Sequence, residues 1–151
     1  MTRAKLAPFT APRLEDWPRR LGDFVESRRH VRFTWGQHDC GLFAADAARA
    51  VTGIDPVPSL RGYGTAAGAL RALRDVGCCS VENVPDRLGL AERWPLDARR
   101  GDVVAFDGAA GPTLGVVLGE RFAAPGPERL LFLPIHVARR AWRLGAIAGG
   151  A

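Results

Sequence analysis

The sequence predicts an α+β domain in which helices come first and a small antiparallel sheet or half-barrel follows. Two patterns and a length carry that expectation. Apolar residues recur at helical spacing up to about residue 90. From Arg100 onward the chain changes to the short runs "GDVVAF", "TLGVVLG", "RLLFLPI" and "AWRLG", β-branched or aromatic and punctuated by Gly or Pro. No helical stretch separates these runs, so their pairing should be antiparallel. At 151 residues the chain fits one domain with one core.

Residues 1–12 carry two prolines and few periodic apolar positions, and read as an arm. Residues 13–145 form the single expected domain, and the Gly/Ala-rich end, 146–151, reads as a flexible tail. Within the domain, Leu14, Trp17, Leu21, Phe24 and Val25 lie on one helical face despite Pro18. In "TWGQHDCGLFAADAARAVTG", Asp39 is an N-cap, Leu42, Phe43, Ala47 and Val51 share a face, and Gly53 is a C-cap. "GTAAGALRALRDVG" gives another helix, ended by Gly77, and "VENVPDRLGL" a short helix or turn.

Composition excludes several classes. Hydrophobic residues at 47% and charged residues at 25% suit a folded globular chain. A net charge of +5 comes almost wholly from arginine, since Lys5 is the sole lysine. The arginines are scattered as pairs such as Arg19-Arg20 and Arg139-Arg140, so nucleic-acid binding is not expected. No run approaches the roughly 20 apolar residues of a membrane span. Without an apolar segment of signal-peptide type at the N-terminus, synthesis in the cytoplasm is expected. Cys40, Cys78 and Cys79 are too few for a disulfide framework and lack paired C-x-x-C spacing, so neither a metal nor a cofactor is expected.

Cys40 is the candidate nucleophile. It falls in the first turn of a helix, where free backbone N–H groups and the dipole favour thiolate. Asp39 opposes this unless its carboxylate turns back to cap the helix. A cysteine nucleophile also needs an imidazole within reach, and the histidines are His30, His38 and His136. His38, two residues before Cys40, is the first candidate base, and His136 is the second. Trp35 is a core anchor or a wall beside Cys40. Tyr63, in the loop "GYGT", is a structural tyrosine or part of a cleft rim.

The run "DCGLF", followed about sixty residues later by "RRGDVVAFDG" and "TLGVVLGE", resembles the papain-like NlpC-type cell-wall peptidases. The resemblance implies a papain-like fold with Cys40 as nucleophile. It also implies Gly101-Asp102 at a strand opening, which places Asp102 among the binding residues with Trp35, Asp39 and Tyr63. The catalytic His position falls on Thr113, and threonine cannot act as a base near neutral pH. The wider series "WGQHDC", "GYGT", "GDVV", "LGVVLG" and "AWRLG" resembles a small family found among phage and prophage tail genes. That implies tape-measure or tail-tip partners and a place in the virion tail, and with threonine at the His position the catalytic site is expected to be degenerate. The alternative is an active cysteine peptidase acting on peptidoglycan stem peptides.

Overall fold

A computed structural model describes residues 6–146. The expectations for residues 1–5 and 147–151 lie outside the described residues. Four helices precede the sheet: α1 (Trp17–Arg28), α2 (Cys40–Thr52), α3 (Ala66–Asp75) and α4 (Asn83–Arg87). Six strands follow: β1 (Glu92–Arg93), β2 (Val103–Gly108), β3 (Gly111–Val117), β4 (Arg121–Pro125), β5 (Leu130–Pro134) and β6 (Arg140–Trp142). They form one sheet in the order β1-β6-β2-β3-β4-β5, antiparallel throughout.

Helix α2 begins and ends where its sequence dictates. Asp39 accepts a hydrogen bond from the Leu42 N–H at 2.9 Å, which satisfies one of the free donors of the first turn. Gly53 closes the helix at φ 81°, a left-handed conformation costly for other residues. Between these caps runs a small, apolar helix whose Phe43, Ala47 and Val51 are buried. They meet Val103, Ala105, Leu114 and Val116 of β2 and β3, with Leu21 and Val25 of α1 and Trp142 of β6 closing the same core. The sheet's other face also buries apolar side chains, including Val104, Phe106, Val117 and Phe122. The segments carrying Ala98, Ile135 and Ala138 cover it.

Two strands escape the sequence pattern. Strand β4, "RFAAP", is poor in strand formers, yet it pairs with β5 over five residues and buries Phe122, Ala123 and Ala124 completely. Tertiary pairing overrides local propensity there. Strand β1 has two residues and exists through its pairing with β6.

The arm is anchored from residue 9, where the Phe9 N–H bonds the Leu88 carbonyl at 2.9 Å. Arg13 makes the deepest attachment. Its guanidinium donates to the carbonyls of Leu144 (2.7 Å) and Arg100 (2.8 Å) and to Asp102 Oδ1 (2.9 Å). Asp102, 1% exposed, also accepts from the N–H groups of Arg99 and Leu144. This carboxylate therefore fastens the arm, the start of β2 and the chain beyond β6 to one another. Gly101 permits the fit, because a Cβ there would stand 2.6 Å from Arg13 Nη1.

Candidate functional site

The motifs "WGQHDC" and "GYGT" meet at one carboxylate. Besides capping α2, Asp39 accepts from the Gly36 N–H at 3.0 Å and from the Tyr63 hydroxyl at 2.5 Å, both through Oδ2. The Tyr63 proton is held by this bond, and burial with the adjacent carboxylate pushes its pKa up. Gly36 has φ 80°, and a Cβ on it would lie 1.8 Å from the Tyr63 carbonyl oxygen. Only glycine lets the two loops come this close. A second tether holds the Tyr63 loop, since Arg61 bonds Asp55 and Asp46, each at 2.7 Å.

Cys40 follows directly. Part of the residue reaches the surface, but the sulfur sits low among protein atoms. That burial pushes the thiol pKa up to about 11, with the Asp39 charge adding to the rise. The backbone at Leu114 and Gly41 opposes the rise without cancelling it. Such a thiol lies on the opposite side of the free value from the reactive cysteines lowered by a neighbouring imidazolium.

Beside Cys40 lies a cavity of about 290 Å³. Trp35, Asp39, Cys40 and Tyr63 stand together in its wall. Deeper in, it is lined by aliphatic side chains of α2, α3, α4, β2 and β3, with Ala44, Ala45 and Ala48 leaving the space along α2. Trp35, 41% exposed, is braced edge-on against Phe33. It is a wall of the site, not a core anchor.

The histidines lie elsewhere. His38 is 2% exposed and turns toward α1, with its ring edge-on to Phe43 and its Nδ1 3.1 Å from Arg28 Nη1. Because the guanidinium can only donate, Nδ1 accepts and Nε2 carries the proton. That Nε2 has no hydrogen-bond partner among the described residues, the Cys40 sulfur included. Burial and Arg28 lower the His38 pKa and keep the ring neutral. His136 is exposed in the turn after β5, and His30 is exposed after α1. Among the described residues, no histidine lines the cavity.

Thr113 does not face the thiol either. Pro112 and Leu114 line the cavity, and strand alternation turns Thr113 to the opposite face. There its hydroxyl bonds the Gly111 carbonyl at 3.0 Å and takes the space that a Cβ on Gly108 would need across the strand pair. Asp102, grouped with the binding residues from the sequence, is instead committed to Arg13 and backbone N–H groups and does not line the cavity. The pattern gave no sign of Arg28, Asp46, Asp55 and Arg61, whose ion pairs hold α1, α2 and the Tyr63 loop together. The aspartate-proline pair Asp55-Pro56 was the one local signal of that turn.

The α+β fold, with a cysteine opening the helix packed on the sheet, is a papain-like fold similar to that of NlpC/p60 domains. The NlpC/p60 domain of the peptidoglycan hydrolase SagA is similar at a TM-score of 0.54 and 16% identity, over 83% of this chain and 97% of that one. A protein similar to a lipoprotein of the NLP/P60 family, from Staphylococcus aureus subsp. aureus Mu50, is similar at a TM-score of 0.53 and 14% identity. The likeness covers 90% of this chain and 44% of that one, so this chain spans less than half of its length. These likenesses are of fold. By sequence, the chain belongs to the family described as "Domain of unknown function (DUF6950)", whose profile matches residues 12–144. No curated protein matches it.

Proposed function

We propose that this chain is an NlpC-like structural or assembly component of a phage or prophage tail, keeping the fold of cell-wall peptidases without a working thiolate–imidazole pair. One observation carries the loss of catalysis: Cys40 stands half-buried at a cavity that no histidine among the described residues lines. The tail assignment rests on the order of the motifs "WGQHDC", "GYGT", "GDVV", "LGVVLG" and "AWRLG", and its partners are tape-measure or tail-tip proteins. The same motifs are used structurally here, since Gly36, Asp39, Tyr63, Gly101 and Asp102 all serve the packing of loops and arm.

A second reading has an observation of its own. Cys40 is the first residue of α2, where backbone N–H groups without helical partners are suited to holding an oxyanion. On that reading the chain is a cysteine amidohydrolase acting on peptidoglycan stem peptides, the polymer named for the SagA domain.

One pair of assays separates them. The native protein and Cys40→Ser are incubated with purified peptidoglycan and released peptides are read by mass spectrometry. In parallel, particles carrying Cys40→Ser are assembled. The proposal expects no release from either protein and normal assembly and infectivity with Cys40→Ser. Peptide release that Cys40→Ser abolishes would overturn it in favour of the hydrolase.

A further inference from the structure

We propose that the cavity beside Cys40 is a binding site for an uncharged aliphatic chain lying along α2. Its size is the first ground, for at about 290 Å³ it has nearly twice the volume of an engineered apolar cavity of about 150 Å³ that stays dry and takes up benzene.

Shape is the second. The lining follows α2 from Cys40 to Ala48, about 12 Å at the helical rise of 1.5 Å per residue. Alanines at positions 44, 45 and 48 keep it open, where larger residues would fill it.

Charge is the third. Beyond the rim the walls are aliphatic, including Leu60, Leu73, Val84 and Leu88. Asp39 is the one acidic or basic side chain in the lining among the described residues, and its oxygens are committed to Leu42, Gly36 and Tyr63. A negatively charged head group would meet that carboxylate, whereas a hydroxyl or an ester would not. Peptidoglycan stem peptides, which are polar and carry carboxylates, do not match this lining. The inference goes beyond the tail assignment and does not depend on it.

The test is calorimetric titration of the full chain with hexanol, octanol, decanol and decanoate. The alcohols should bind at one site, tightening about fourfold per added methylene until the cavity is filled, with a negative heat-capacity change. Decanoate should bind about tenfold or more weakly than decanol, and Asp39→Asn, which keeps the cap, should narrow that gap. Ala48→Phe and the milder Ala45→Leu should each weaken decanol by about tenfold or more, thermal melting reporting that the variant is folded. In the native protein decanol should also slow alkylation of Cys40, a readout independent of any variant. The proposal is overturned if no alcohol binds the native protein. It is equally overturned if folded Ala48→Phe and Ala45→Leu bind decanol as tightly as the native chain does, or if decanol leaves Cys40 alkylation unchanged.

Discussion

Replacing Asp102 by alanine should remove the fastening that joins the two ends of the domain. The Arg13 and Asp102 side chains are each 2% exposed and lie 2.9 Å apart. Alanine leaves the guanidinium buried without its counter-charge and strips the acceptor from the N–H groups of Leu144 and Arg99. Breaking a buried pair in this way costs about 3–5 kcal/mol. In a domain of this size each kcal/mol lowers Tm by about 2–4 °C, so a fall of roughly 6–20 °C is expected. The double variant Arg13→Met with Asp102→Leu removes the orphaned charge as well and should be less destabilised than Asp102→Ala alone. Thermal unfolding followed by circular dichroism at pH 7 measures both. A shift below about 2 °C for Asp102→Ala, the size of an ordinary surface change, would refute the reasoning. So would a double variant less stable than the single one.

The loop junction and the buried histidine supply further tests. Gly36→Ala forces a Cβ onto the Tyr63 carbonyl and a side chain into positive φ; it should cost more than about 1 kcal/mol and lower Tm. Tyr63→Phe loses a hydrogen bond to a carboxylate and should cost about 1.5–3 kcal/mol in chemical denaturation. His38 has its pKa lowered in the folded state by burial and Arg28. The unfolded chain therefore takes up the proton first, so this contribution is complete above the unfolded value of about 6.5 and is lost as pH falls below it. His38→Gln should flatten the stability profile between about pH 7 and pH 5, measured by urea unfolding at each pH.

The sequence made α2 legible because both of its ends carry chemistry that acts locally, Asp39 at one and Gly53 at the other. Strands β2, β3 and β5 were legible from β-branched and aromatic runs between glycines and prolines. Strand β4 was not, because "RFAAP" takes its conformation from β3 and β5 and not from its own residues. At the site, Cys40, Trp35, Asp39 and Tyr63 come together. The direction of His38 was beyond reach of sequence, because closeness along the chain says nothing about which side of a helix start a ring takes. Arg28 and Phe43 hold it on the side facing α1. The cavity was invisible for a related reason: Ala44, Ala45 and Ala48 look like helix formers, and only the facing helices show that they line a space.

The central claim is that Cys40 is a half-buried thiol with no imidazole partner, and the pH dependence of its alkylation tests this most directly. Iodoacetamide labelling is followed from pH 5 to pH 11 with peptide-resolved mass spectrometry, which separates Cys40 from the exposed Cys79. With the thiol pushed up to about 11, the Cys40 rate should stay low through neutrality and still be climbing at the top of that range. A rate that reaches its plateau by pH 6 would contradict the account, since it would require a thiolate held by an imidazolium at this site.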